Sequence, residues 1–176
     1  MYNLIKGEAL GLRAFCHLDL LRLYGPIPGK QTDKKILSYA REVSRQNMPV
    51  NTWAEYVAFL EQDLNEAEAL LEKVEKKGIE NDYFTYRQNR MNYWAVMAVK
   101  ARFYLWIQNK EKAAEYAAKV IAGAGEQFKL SQPQDFTDKD YIASSEHLFS
   151  IHVYNLEDIT EAFFYRAGGV EQTKSL

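Results

Sequence analysis

GEALGLRAFCHLDLLRLYGPIPGK, residues 7–30, is a long apolar segment that ends abruptly in a Gly-Pro-Ile-Pro sequence. Two apolar stripes follow helical spacing in it, one made of Ala9, Leu12, Cys16, Leu20 and Leu23 and the other of Leu10, Ala14, Leu18 and Leu21. Pro26 disfavours helical geometry at Gly25 and has no N–H to donate, so we predict a helix from about Asn3 to Tyr24. Because a surface helix needs only one apolar stripe, the two stripes predict burial on two sides.

The following residues predict a connection and a second helix. Residues 25–50 contain several prolines and glycines and are predicted to be mostly irregular, which is long for a connection in a compact domain. The second helix is predicted to follow a cap at Asn51 or Thr52, because apolar residues then recur three and four apart. Gly78 is the predicted end of this helix.

A helical hairpin is predicted next. Its helices cover about residues 89–108 and 110–124, and the tight turn at Asn109 requires them to pack antiparallel. Small residues at Ala101 and Ala113 allow the two helices to approach closely. This spacing resembles a tetratricopeptide unit, which is a hairpin that stacks on its neighbours.

The pattern changes after Gly125. HLFSIHV, residues 147–153, alternates in the manner of one short strand, which would need a partner elsewhere in the fold. The rest of residues 126–176 is predicted to be irregular. We therefore predict an all-α fold of tetratricopeptide-like helical hairpins with long irregular loops. It is helical over about residues 3–125 and has at most a short strand near the C-terminus.

Composition argues against several classes of protein. The net charge of −2 provides no basic field to attract nucleic acid. Cys16 is the single cysteine, so no disulfide can form within the chain. The sequence has no run of about 18 apolar residues that would predict a membrane span. Its first residues lack the charged region, apolar run and cleavage site of a signal peptide.

The helix over residues 7–24 and its ending resemble the signature of the SusD/RagB family. In that family an Arg-Ala-aromatic triplet, here Arg13-Ala14-Phe15, precedes a Tyr-Gly-x-x-Pro ending, here Tyr24-Gly25-Pro26-Ile27-Pro28. Further landmarks follow in the order seen in the family. They are YVAFLEQDLNEAEALL (56–71), RMNYWAVMAVKARFYLW (90–106), KAAEYAAKVI (112–121) and SSEHLFSIHVYN (144–155).

The resemblance implies a function as well as a fold. Members of the family are outer-membrane lipoproteins of Bacteroidetes-type bacteria that bind glycans or other nutrients. They act as partners of a TonB-dependent transporter of the SusC type. The resemblance therefore implies a surface-exposed, non-enzymatic protein at the cell outer membrane that binds an oligosaccharide or another nutrient without a cofactor.

The chain departs from the family in its length and at its start. Members are longer and carry a lipid-modified cysteine near the N-terminus, a role that Cys16 cannot fill from the middle of a helix. We therefore expect residues 1–176 to form a single, partial SusD-like domain, either a fragment or an abbreviated reading frame.

One aromatic loop is the predicted ligand-binding site. It contains Tyr83, Phe84 and Tyr86 beside Arg87. Aromatic faces stack on the apolar faces of sugar rings, and arginine donates hydrogen bonds to hydroxyl groups. In the alternative interpretation these rings fill the core beside Trp94.

Arg13, Arg102 and His17 are predicted to be structural. A buried arginine must be paired, so Arg13 is expected to form an ion pair or to bind loop carbonyls, and Arg102 is interpreted in the same way. His17 is alone on its helix and is expected to be a hydrogen-bonded packing residue.

The sequence predicts no catalytic residue and no metal site. His147 and His152 would point to opposite faces of a strand, and no zinc or calcium motif occurs. Neighbouring carboxylates are more typical of a solvated helix face or a polar loop than of catalysis. These are Glu66 with Glu68 and Asp138 with Asp140.

Two alternative functions stay open at this point. One is a tetratricopeptide-type adaptor that binds a peptide or protein in a concave groove. The other is an accessory to a carbohydrate-active enzyme. The Tyr-Gly-x-x-Pro ending favours the nutrient-binding interpretation, because an adaptor has no need of it.

Overall fold

A computed structural model describes residues 1–77, 86–125, 127–138, 140, 142–161 and 163. These residues form α-helices and one two-stranded sheet. In chain order the elements are α1 (Tyr2–Tyr24), β1 (Lys35–Ser38), β2 (Val50–Thr52), α2 (Trp53–Lys77), α3 (Tyr93–Trp106), α4 (Lys110–Ala124), α5 (Pro133–Thr137) and α6 (Leu156–Thr160). The mostly helical fold predicted from the sequence is confirmed.

Helix α1 packs along α2 with one of its two apolar stripes. Leu10, Ala14, Leu18 and Leu21 are all buried. Gly7 permits this close packing, because a Cβ atom there would lie 2.7 Å from Cγ of Leu71 in α2. Burial of this stripe against α2 supplies much of the hydrophobic stabilisation of the described residues.

The second stripe of α1 is exposed. We call Leu12, Cys16, Leu20 and Leu23 the outer face of α1. Leu12 and Leu20 are 39% and 40% exposed, and Leu23 is 73% exposed. The prediction that α1 is buried on two sides is therefore wrong for the part of the chain that the structure describes.

The sheet lies in the segment predicted to be mostly irregular. Strands β1 and β2 pair antiparallel, with Leu37 opposite Asn51 and Ser38 opposite Val50. The Asn51 side chain also accepts a hydrogen bond from the Tyr39 N–H at 3.0 Å. Sequence reasoning missed these strands because they are only four and three residues long and depend on packing against α2.

Helix α2 begins as predicted. The Thr52 N–H donates to Oε2 of Glu55 at 2.8 Å, and the Glu55 N–H donates to Oγ1 of Thr52 at 3.4 Å, which together form a capping box. The hydrogen bond from the Thr52 N–H lowers the pKa of Glu55. The predicted end of this helix at Gly78 lies outside the described residues.

Helices α3 and α4 form the predicted antiparallel hairpin. Helix α3 begins later than the predicted start near residue 89, because it is capped by Asn92, whose side chain accepts from the Ala95 N–H at 3.0 Å. Asn109 caps α4 by accepting from the Lys112 N–H at 3.1 Å. Tyr104 of α3 stacks on a tyrosine of α4, with ring centroids 5.4 Å apart.

A buried lysine joins this hairpin to α2. The Lys100 side chain is only 1% exposed and forms an ion pair with Glu68. Its Nζ also donates to Oδ1 of Asn65 and to the hydroxyl of Tyr116, each at 2.7 Å. The buried ammonium group therefore uses all three of its donors.

The predicted strand over residues 147–153 is wrong. This segment is irregular and is held by single hydrogen bonds rather than by a ladder. Ser150 donates its N–H to the Gln88 carbonyl at 2.6 Å, and the Asn92 side chain donates to the Leu148 carbonyl at 2.8 Å. Gln88 lies in a 3-10 turn, whose backbone cannot continue the pairing.

No helix in the described ranges is long and apolar enough to span a bilayer.

Candidate functional site

The predicted ligand-binding loop is partly described. Tyr83 and Phe84 lie outside the described residues. Tyr86 is 73% exposed and takes the left-handed conformation, with φ of 54°, immediately before the 3-10 turn Arg87–Asn89. Because its ring projects into solvent, Tyr86 does not fill the core, which was the alternative interpretation for this loop.

Arg87 is held in place from α2. Its Nη2 donates to Oε2 of Glu75 at 2.5 Å. The other oxygen of this carboxylate accepts from Nε1 of Trp94 at 3.3 Å and from Nε2 of Gln127 at 3.0 Å. Glu75 thus fixes Arg87 relative to both the start of α3 and the segment after α4.

Arg87 lies between two cavities of very different size. The inner one, lined by Leu4, Glu8 and Tyr93 among others, has a volume of about 20 Å³, which is room for about one water molecule. The outer one has a volume of about 470 Å³. We call the outer one the Arg87 cleft; it is lined by Arg87, Gln88, Gln127, Phe128, Ser144 and Ser145.

The lining of the Arg87 cleft suits a polyhydroxylated ligand. The guanidinium and the two amides can donate to hydroxyl oxygens, and the amides can also accept from hydroxyl groups. Phe128 adds an apolar ring. Ser144 is positioned by Asp140, whose Oδ2 accepts from the serine Oγ at 2.6 Å, and this bond lowers the pKa of Asp140.

Two carboxylates singled out in the sequence, Glu66 and Glu68, form ion pairs. Glu66 pairs with Lys6 at 2.5 Å, while Glu68 pairs with the buried Lys100. Within the described ranges, no three His, Cys, Asp or Glu side chains are grouped closely enough to hold a metal ion.

A second cleft, which the sequence did not indicate, lies beside the β1–β2 hairpin. It has a volume of about 480 Å³, and its lining includes Arg13, Tyr39, Arg41, Glu42, Asn51 and Phe59. We call it the hairpin cleft. The guanidinium of Arg41 lies 4.8 Å from the centroid of the Phe59 ring.

The hairpin cleft rests on an ion pair between α1 and α2. Nε and Nη2 of Arg13 each donate to Asp63 at 2.6 Å, and Nη1 donates to the Arg41 carbonyl at 2.7 Å. The Tyr39 hydroxyl donates to Oδ2 of Asp63 at 2.7 Å. Burial, followed by this bond, raises the pKa of Tyr39. The predicted structural role of Arg13 is supported, with Asp63 as a partner 50 residues away.

His17 joins the same cluster as a neutral side chain. Its Nε2 accepts from the Ala40 N–H at 3.3 Å, so the ring proton lies on Nδ1, which is 2.7 Å from the Tyr56 hydroxyl. The hydroxyl in turn donates to the His17 carbonyl at 3.1 Å. Burial, followed by the charge of Arg13, lowers the pKa of His17.

Comparison with known families decides the identity of the fold. The profile of a SusD-like family, described as starch-binding and associating with the outer membrane, matches residues 1–105, which is more than half of the chain. The chain belongs to the SusD-like family. No functionally curated protein matches it.

Solved structures agree with the family assignment of this SusD-like chain. A SusD superfamily protein from Bacteroides vulgatus is 26% identical, with a TM-score of 0.59 over 77% of this chain and 29% of its own. A SusD superfamily protein from Bacteroides thetaiotaomicron is 24% identical, with a TM-score of 0.61 over 76% and 28%. A SusD-like carbohydrate binding protein from Bacteroides vulgatus is 24% identical, with a TM-score of 0.58 over 76% and 27%. The SusD-like chain thus spans less than a third of these relatives.

The family match covers the linings of the two clefts to different extents. All of the hairpin cleft lies within the matched residues 1–105 of this SusD-like chain. In the lining of the Arg87 cleft, only Arg87 and Gln88 lie within the matched residues. The rest of that lining comes from residues 127–145. The Arg87 cleft therefore combines a part that the family match covers with a part that it does not.

Proposed function

We propose that this SusD-like chain is part of a non-enzymatic protein that captures an oligosaccharide at the cell surface. The protein passes the ligand to a TonB-dependent transporter of the SusC type in the outer membrane. The observation that carries this proposal is the match of residues 1–105 to a family described as starch-binding and associating with the outer membrane.

The proposed glycan site is the aromatic loop, with Tyr83, Phe84, Tyr86 and Arg87 as ligand-binding residues. The exposed ring of Tyr86 is available for stacking on a sugar. Arg87 is fixed by Glu75 at the edge of a cleft lined by amides and hydroxyls. A pre-positioned donor of this kind loses little conformational entropy when a ligand binds.

The lining of both clefts supports binding rather than glycoside hydrolysis. Glycosidases generally use a pair of carboxylates on opposite sides of the scissile bond. Among the described residues, the Arg87 cleft has no carboxylate in its lining and the hairpin cleft has only Glu42.

The adaptor alternative is supported by an apolar groove beside α4. Its volume is about 590 Å³, and its lining includes Val120, Ile121, Phe128, Leu130 and Leu148. Ile121 and Leu130 are 80% and 77% exposed. An apolar peptide segment could occupy such a groove, and the side chains of Lys129, Gln132 and Glu146 in its lining could pair with the polar groups of the peptide.

The test is calorimetric titration of the full chain with maltoheptaose, a starch-type oligosaccharide. Replacing Tyr86 by Ala removes an exposed ring, so the fold is retained, and loss of one stacked sugar should weaken binding about tenfold. Tyr154→Ala is the matched control, because Tyr154 is 95% exposed and, unlike Tyr86, is not adjacent to Arg87 in the chain. If Tyr86→Ala and Tyr154→Ala bind maltoheptaose with equal affinity, Tyr86 is not part of the glycan site. Absence of binding to maltoheptaose and to a panel of other neutral glycans would favour the adaptor.

A further inference from the structure

A third cleft lies where α1 and α3 end side by side. It has a volume of about 470 Å³ and is lined by Arg22, Arg102, Trp106 and Gln108, together with the apolar side chains of Ile27 and Leu105. We call it the helix-end cleft. It shares no lining residue with the Arg87 cleft or the hairpin cleft.

Two guanidinium groups in the helix-end cleft share one carboxylate oxygen. Nη1 of Arg22 and Nη2 of Arg102 lie 3.0 Å and 3.2 Å from the same Oδ1 of Asp19. Each guanidinium has five N–H donors, and these are the only hydrogen bonds that the two side chains make within the described residues. The three groups together carry one net positive charge, and most of their donors point away from any described acceptor.

Trp106 adds a further donor. Its Nε1 is buried and has no hydrogen-bond acceptor among the described residues. An unsatisfied buried N–H is uncommon in folded proteins, because its desolvation is not compensated by a hydrogen bond. The lining of the helix-end cleft therefore supplies donors from two guanidiniums and the Gln108 amide, and the Trp106 N–H is a further donor below that surface.

We propose that the helix-end cleft binds the carboxylate of an acidic sugar, a uronate residue of a captured glycan. This inference rests on the proposed glycan-binding function. The planar forks of Arg22 and Arg102 match a planar carboxylate, and the Gln108 amide serves a hydroxyl group. Ile27 and Leu105, which are 64% and 62% exposed, contact the C–H face of the ring.

The helix-end cleft is large enough for a sugar residue, and its donors suit an acidic one. Its volume is within the range of about 300–1,000 Å³ that is usual for small-molecule sites. Protein partners instead need an interface of about 800 Å² on each side. A surplus of donors over acceptors also suits a carboxylate surrounded by hydroxyl groups.

The test is calorimetric titration of the full chain with trigalacturonate. We expect binding that weakens as salt is added. The double variant Arg22→Lys with Arg102→Lys keeps both charges at the helix ends but loses the planar forks, and should bind at least about tenfold more weakly. Gln108→Met keeps a side chain of similar length, removes the amide and should bind about fivefold more weakly. Arg45→Lys, at an exposed arginine that is not in the lining of this cleft, is the matched control.

Three outcomes would overturn the proposal. The first is absence of trigalacturonate binding. The second is trigalacturonate binding that the double variant and Gln108→Met leave unchanged. The third is equal affinity for triglutamate, because charge alone would then explain the attraction. Maltoheptaose binding in the same samples separates this inference from the proposed function. If maltoheptaose binds and trigalacturonate does not, the uronate site in the helix-end cleft is refuted and the proposed glycan-binding function stands.

Discussion

Replacing Arg13 by Met should destabilise the chain by about 3 kcal/mol, because it leaves a buried carboxylate without its charge partner. The Asp63 side chain is only 4% exposed and receives two hydrogen bonds from Arg13 and one from Tyr39. After the substitution, the neutral Tyr39 hydroxyl is the one described group that still donates a hydrogen bond to the Asp63 carboxylate. Breaking a buried ion pair from one side costs about 3–5 kcal/mol, and the 26% exposure of the Arg13 side chain places the loss at the lower end.

A double-mutant cycle isolates the interaction energy between Arg13 and Asp63. Asp63→Leu should also destabilise the chain, because it leaves the Arg13 guanidinium half-buried without its partner. The double variant should be more stable than the sum of the two losses predicts, because removing both charges also removes the desolvation penalty. The measurement is urea unfolding followed by far-ultraviolet circular dichroism at pH 7, with the slope of the transition compared between variants.

The control is Arg102→Met. Arg102 pairs with Asp19 at 3.2 Å, but its side chain is 45% exposed, so its loss should cost only about 0–1 kcal/mol. A loss of stability for Arg13→Met no larger than that for Arg102→Met, or losses in the cycle that simply add, would contradict this prediction.

Three further predictions concern stability. Lys100→Met should cost about 3 kcal/mol, because it leaves the Glu68 carboxylate beside a dry core, whereas Lys119→Met at an exposed pair should leave the urea midpoint unchanged. Gly11→Ala should cost about 1–3 kcal/mol, because the new Cβ would lie 2.6 Å from Cγ of Met91, while Gly125→Ala has room and should be close to neutral in the same urea titration. Burial lowers the pKa of His17, so the unfolded chain takes up a proton that the folded chain resists, and stability should fall as the pH drops below about 6.5. Urea midpoints from pH 5 to 8 check this, and a His17→Asn variant with the same pH dependence would contradict it.

Local signals made much of the helical fold predictable. The end of α1 at Tyr24 follows from Gly25 and Pro26, and the start of α2 follows from Thr52 and Glu55. These elements are set by residues adjacent in the sequence, so a single sequence contains the information. The SusD-like assignment was predictable for the same reason, since its signature lies in one continuous segment.

Long-range pairing was not predictable. Nothing near Arg13 in the sequence indicates that its partner is Asp63 rather than Glu8 or Asp19. Glu8 instead pairs with Arg90, 82 residues away. The alternation over residues 147–153 indicated a strand, but these residues make single contacts to α1 and to the turn before α3, such as that between Phe149 and Phe15. An alternating pattern predicts burial on one side, but here residues 147–150 are all half-buried and residues 151–153 are all exposed, so burial does not follow the alternation.

The clefts were less predictable than the fold. The Arg87 cleft combines residues 87–88, 127–128 and 144–145, which only the folded chain brings together. Tyr86 and Arg87 could be singled out because aromatic and arginine side chains are adjacent there. The hairpin cleft gave no such signal, because it depends on two strands that are too short to be recognised.

The two ends of the Asn92 amide have separate tasks. Its oxygen caps α3, while its nitrogen donates to the carbonyls of Arg87, Arg90 and Leu148. Aspartate could keep the cap but would place a second acceptor against those carbonyls, and serine could keep the cap but could not reach all of them. Substitution tolerance at this position should therefore be close to zero. In a library that randomises position 92, asparagine should be the residue recovered among well-folded chains.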